Sequence, residues 1–169
     1  MTTISTEATV EIVQGQRIAR LSEDASQALP SRGQVAVTGA LDGAPFATVV
    51  EPDGRRGHWI RLDDARSVDE VVTLELRPTK DWPEVVVPQD LQAALDEAPD
   101  LADTWRSITP MARWEWVRWV RATRSEATRA KRVDVSISKL RDGKRRPCCF
   151  DLAACTDPEL ARSGKLIAG

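Results

Sequence analysis

The sequence predicts an α+β protein in which a small β-barrel precedes a helical region. Up to about residue 87 apolar side chains recur at every second position between tight-turn pairs, and from Pro88 onward the period lengthens to about 3.6. The strongest hairpin signal, Asp42-Gly43, lies in the first part, and the helix caps Thr109-Pro110, Ser125 and Gly143 lie in the second.

Each element follows from local chemistry. Ala8 to Val13 and Arg17 to Leu21 alternate as strands around Gln14-Gly15, and Ser22 is placed to cap a short helix reaching Leu29. Gly33 to Leu41 sets Val35, Val37 and Gly39 against Gln34, Ala36 and Thr38, the pattern of a half-buried strand. Asp42-Gly43 suits a type I′ turn, whose two central residues need positive φ, and Ala44 to Glu51 returns as the partner strand. Pro52-Asp53-Gly54 turns the chain again. His58 to Leu62 and Val71 to Leu76 complete the strands of a small barrel or sharply bent sheet.

Beyond Pro88, Leu91, Ala94, Leu95 and Ala98 share one helical face, and Leu101, Ala102, Trp105 and Ile108 share another after Pro99. Thr109 as N-cap and Pro110 at the first helical position open a helix to about Thr123. Ser125 opens the next, with Val133, Ile137 and Leu140 inward and Gly143 closing it, so that the last two helices form a hairpin. This stripe is expected to pack on Trp116, Trp119 and the barrel, with Arg129 and Arg132 near acids of the N-terminal half or in solvent. Lys144 to Gly169 reads as a partly ordered strap holding one short helix, capped by Thr156-Asp157-Pro158-Glu159. The expected domains are residues 1–87, 88–146 and a strap, 147–169.

With 41% apolar and 30% charged residues the chain has the composition of a folding globular protein. Met1 to Arg20 lacks the apolar core of a signal peptide, and no run approaches the roughly 18 apolar residues of a membrane span, so a cytoplasmic protein without membrane insertion is expected. The net charge of −2 hides an asymmetry: Arg106 to Arg146 hold 13 basic residues against 4 acidic ones, a local +9, while the remaining 11 basic and 22 acidic residues leave −11.

The residues Val35-Ala36-Val37-Thr38-Gly39, Asp42-Gly43, Pro45-Phe46 and Pro52-Asp53-Gly54 are joined by a second set in the C-terminal half. There Val87-Pro88-Gln89-Asp90-Leu91, Ala94-Leu95, Trp119-Val120 and Glu126 to Arg132 lead to Leu140 and Gly143-Lys144-Arg145. With these the chain resembles the bacterial YdeI/OmpD-associated family, linked to bacteriocin protection, preceded by a small domain of unknown function often fused to it. The resemblance implies a double-split β-barrel at the N-terminus and a role in protection against envelope-directed peptides. It carries over no catalytic residues.

The residues themselves offer several chemistries. His58, the only histidine, sits beside Trp59, and a small-molecule pocket where His58, Trp59 and Trp82 converge between barrel and helices would suit an enzyme; no nucleophile motif accompanies them. Trp114, spaced to meet Arg118 and Arg121, is a candidate ligand contact. Arg124, Arg129, Lys131, Arg132, Lys144, Arg145 and Arg146 could line a polyanion or nucleic-acid surface, against a sequence pI of about 5.5. Cys148, Cys149 and Cys155 beside Arg145 and Arg146 are redox candidates. Adjacent cysteines suit zinc poorly, so folding without metal or cofactor is expected. The leading expectation is a non-enzymatic binding or stress-protection protein with an unidentified ligand or protein partner.

Overall fold

The computed structural model describes residues 3–63, 65–147, 156–163 and 165–167. It divides into one compact unit of residues 1–83 with 153–169 and a second of residues 84–152.

The first unit is a closed barrel of six strands: β1 (Ile4–Val13), β2 (Gln16–Arg20), β3 (Val35–Leu41), β4 (Ala44–Pro52), β5 (His58–Arg61) and β6 (Val71–Pro78), in the order β1-β2-β5-β4-β3-β6. All neighbours are antiparallel, so short turns suffice to connect many of them. Gln14 and Gly15 have φ of 49° and 77°, Asp42 and Gly43 of 49° and 83°, the paired positive φ that two-residue hairpins require. The Asp42 carboxylate accepts from the Thr73 amide at 2.7 Å and from Arg66 at 2.5 Å, pinning the β3–β4 tip to β6.

Closure depends on β1, which pairs with β6 through Ile4 to Thr9 and with β2 from Val10 onward. Val10, Val37, Val50, Ile60, Val72, Leu74 and Leu76, all fully buried, fill the interior. Gly39 lets β3 approach β6: a Cβ there would lie 1.7 Å from the Glu75 carbonyl oxygen. The short helix α1 (Glu23–Gln27) begins where expected, its N-cap Ser22 accepting from the Ala25 amide at 3.2 Å.

The C-terminal residues belong to this unit. A 3₁₀ turn, Pro158–Leu160, is followed by the two-residue strands β7 (Ala161–Arg162) and β8 (Lys165–Leu166). Leu160 and Leu166 pack with Val13, Ile18 and Trp59, and the Leu166 amide donates to the Asp53 carbonyl at 2.9 Å. Asp157, not Thr156, caps the turn, accepting from the Glu159 amide at 3.0 Å. Thr156 is engaged elsewhere, its hydroxyl accepting from the Trp59 indole N–H at 2.8 Å.

The helical unit contains α2 (Gln89–Asp96), a 3₁₀ turn at Pro99–Leu101, α3 (Ala102–Ser107), α4 (Pro110–Arg121) and α5 (Glu126–Arg141). Thr109 and Ser125 cap α4 and α5 through the amides of Ala112 and Thr128, at 3.1 and 3.2 Å. Gly143, at φ 85°, ends α5. The inward stripe of α5 divides: Ile137 and Leu140 pack with Trp116 and Ile108, whereas Val133 packs with Leu91, Val117 and Val120. A residue four or seven positions back along a 3.6-residue helix drifts around its axis, so one stripe meets two neighbouring sets of side chains.

Candidate functional site

His58 and Trp59 are both buried. Adjacent strand residues point to opposite faces, and each side chain is 1% exposed. The carbonyl of Gly33 can only accept, so the His58 Nε2 at 3.0 Å from it carries the proton, and Nδ1 accepts from the Ser26 hydroxyl at 2.6 Å. Arg32 donates to the Ser26 hydroxyl oxygen at 3.3 Å and to the Ser26 carbonyl. Burial lowers the His58 pKa, with the Arg32 charge in the same direction; the Gly33 hydrogen bond and the Asp53 charge oppose them. With both nitrogens hydrogen-bonded, the ring joins α1, β5 and the loop before β3. Trp82, the third member of the imagined pocket, is half-buried.

Several of the basic residues have partners close by. Arg129 forms a two-pronged ion pair with Asp90 of α2, at 2.7 and 3.1 Å. Arg132 donates to the Trp119 carbonyl at 2.8 Å, at the C-terminal end of α4 where a helix favours cations, and its guanidinium lies 5.2 Å from the Trp119 ring centre. Arg146 pairs with Glu115: Nε donates to Oε2 at 2.8 Å, and Nη2 lies 2.7 Å from Oε1 without hydrogen-bond geometry. Thus Arg129, Arg132 and Arg146 among the polyanion candidates are tied to local partners; Lys131, Lys144, Arg145 and Arg124 have exposed side chains. Trp114 is half-buried with the Arg118 guanidinium 4.5 Å above its ring, the stacking its spacing predicts. The three cysteines lie outside the described residues.

A cavity of about 270 Å³ opens beside α4 and the end of α5, lined by Trp116, Trp119, Val135, Lys139, Lys144, Arg146 and Pro147. Its floor is fixed. Trp116 is 1% exposed, donates its indole N–H to the Arg145 carbonyl at 2.9 Å and meets Trp119 edge-on, ring centres 6.2 Å apart at 76°. Its rim is cationic, because α5 ends in a Schellman motif: the Lys144 amide donates to the Lys139 carbonyl at 3.0 Å and the Gly143 amide to the Leu140 carbonyl at 3.1 Å. Folding the chain back this way brings Lys144 onto the turn that carries Lys139. A second, more open groove of about 430 Å³ runs between α2 and α5, its alanine floor flanked by Asp90, Glu97, Glu126 and Asp134.

The cavity was only partly visible in the sequence. Lys144 and Arg146 stand among the polyanion candidates, but Trp116 and Trp119 read as core, and Val135 and Lys139 carry no signal of their own. The register of the Gly143 cap could have found Lys139, since the Schellman motif joins the residue after the glycine to the one four before it.

Residues 84–143 match the family model described as Bacteriocin-protection, YdeI or OmpD-Associated, and residues 7–73 match that of a domain of unknown function, DUF1905. The chain joins a YdeI/OmpD-associated domain to a DUF1905 barrel. No curated protein matches the chain. Trp116, Trp119, Val135 and Lys139 fall inside the matched YdeI/OmpD-associated span, and Lys144 to Pro147 follow directly after it. Among the described residues no group of three His, Cys, Asp or Glu side chains is placed to hold a metal, and no helix is long and apolar enough to cross a membrane.

Proposed function

We propose that the protein is a non-enzymatic binding protein whose YdeI/OmpD-associated domain holds a small ligand over Trp116 and Trp119, in the service of the protective role its family's description names. The single observation that carries the reading is the cavity itself: a rigid aromatic floor with a few polar groups at its rim is the usual composition of a ligand site, and about 270 Å³ suits a ring-sized ligand. The sealed state of His58 supports binding over catalysis, because the side chain best suited to proton transfer near neutral pH is occupied on both nitrogens.

The reading is tested by following the indole N–H signals of the isotopically labelled chain while 1-naphthoate is added. Trp116 and Trp119 should shift together and saturably, and Val135→Trp, which fills the cavity, should abolish the response while the thermal midpoint stays close to that of the parent. Shifts confined to other tryptophans would reject the site. The protective part is tested separately in a deletion strain, where unchanged tolerance to antimicrobial peptides would remove it.

A further inference from the structure

Resting on that binding reading, we propose that the ligand is a small ring-bearing anion, its planar body against Trp119 and Val135 above the buried Trp116 and its charged head between Lys139 and Lys144. Both lysines are exposed and neither forms an ion pair with a carboxylate among the described residues. Arg146, by contrast, is neutralised by Glu115, whose side chain is only 5% exposed, so it acts as a fixed wall and not as a free charge. Among the described residues the rim therefore offers two positive charges with no carboxylate partner.

The competing explanation is that the lysines merely offset the negative end of the α5 dipole. That end amounts to about half an elementary charge, against two ammonium groups, and its effect is confined to the last turn. The carbonyls of Ser138, Lys139 and Leu140 already accept from the Asp142, Lys144 and Gly143 amides, and that of Arg145 accepts from Trp116. An anionic head thus meets ammonium donors and not bare carbonyls.

A cationic ligand is disfavoured on the same geometry. The lysines at the rim would repel a positive charge. A nucleic-acid strand is disfavoured as well, since it needs a track of free cations and Arg129, Arg132 and Arg146 are each engaged. Lysine, a point charge with rotatable donors, accepts a carboxylate or a phosphate head equally, so the shared chemistry is a ring bearing one anionic group.

The experiment uses the full chain and matched probes: 1-naphthoate, its neutral counterpart 1-naphthalenemethanol, and 1-naphthyl phosphate, each titrated against the Trp116 and Trp119 indole signals. We expect 1-naphthoate to bind about tenfold more tightly than the alcohol, and Lys139→Gln with Lys144→Gln to remove that advantage, the loss of two solvent-exposed ion pairs. The corresponding double substitution to arginine should retain it. The preference should shrink in high salt. Whichever of carboxylate and phosphate binds more tightly identifies the head group. Equal affinity for naphthoate and the alcohol, or an unchanged preference in the double glutamine variant, would overturn the anion proposal while leaving the binding site in place. No perturbation by any probe would remove both.

Discussion

Two groups of buried polar side chains, one in the barrel and one in the helical unit, end differently. In the barrel His58 is bonded to Ser26 and Gly33, and the Trp59 indole to Thr156, with none of His58, Ser26, Trp59 or Thr156 more than 2% exposed, although the buried Asp157 of the same unit reaches an Arg61 that is 35% exposed. In the helical unit they open outward, the buried Glu115 holding an Arg146 that is 64% exposed and the buried Trp116 ending on the carbonyl beside it. A closed network rigidifies and specifies a fold, whereas Arg146 and Trp116 end their contacts beside the cavity.

The comparison is broken most severely by substitutions in the apolar interiors, where the two units should behave alike. Leu74→Ala in the barrel and Leu140→Ala in the helical unit each remove a fully buried or nearly buried side chain, 0% and 2% exposed. Each should cost about 2–5 kcal/mol in urea unfolding. If only one does, the difference between the units is one of packing and not of polar wiring.

Next in size is Ser26→Ala, which leaves His58 Nδ1 without a donor inside the barrel and should cost about 1–3 kcal/mol by the same measurement. A neutral outcome would mean that the node is not a closed network. Removing the α5 cap with Ser125→Ala should cost about 1 kcal/mol, and Ser125→Asp should restore it, as helix content and melting both report.

The smallest effect sharpens the contrast through pH. Burial holds the folded His58 pKa below the ordinary 6.5, so below that pH the unfolded chain gains a proton that the folded barrel does not. Stability is therefore complete above about 6.5 and declines as pH falls from there toward the folded value. The ion-paired Asp42 and Asp90, held below the ordinary 3.8 by hydrogen bonds, add stability that persists above 3.8 and is lost only as pH falls below it. Just below pH 6.5, where His58 sets the slope, His58→Gln should flatten the stability profile, and an unchanged slope would show that another group sets it.

What could be read from the residues was whatever chemistry is local. Turn pairs such as Asp42-Gly43 and caps such as Thr109 and Ser125 act within four positions, and period two against 3.6 separates barrel from helices. What could not be read was pairing at a distance. Ser26 and His58 are 32 positions apart, Asp90 and Arg129 are 39 apart, and nothing in either neighbourhood names the other. The partners of the polyanion candidates stayed open for that reason: a run of arginines shows its charges but not what they pair with. Thr156 looked like a cap because its spacing to Glu159 allows one, yet a distant indole claimed its hydroxyl.

The bond between Trp59 and Thr156 also sets an order of events during synthesis. The two residues lie 97 positions apart, with the whole helical unit between them. At roughly 5–20 residues per second, Trp59 leaves the ribosome about 5 to 20 seconds before its partner exists. For that interval the chain lacks the segment that packs Leu160 and Leu166 against Val13, Ile18 and Trp59, so any barrel formed in it leaves open an apolar patch that the finished protein covers.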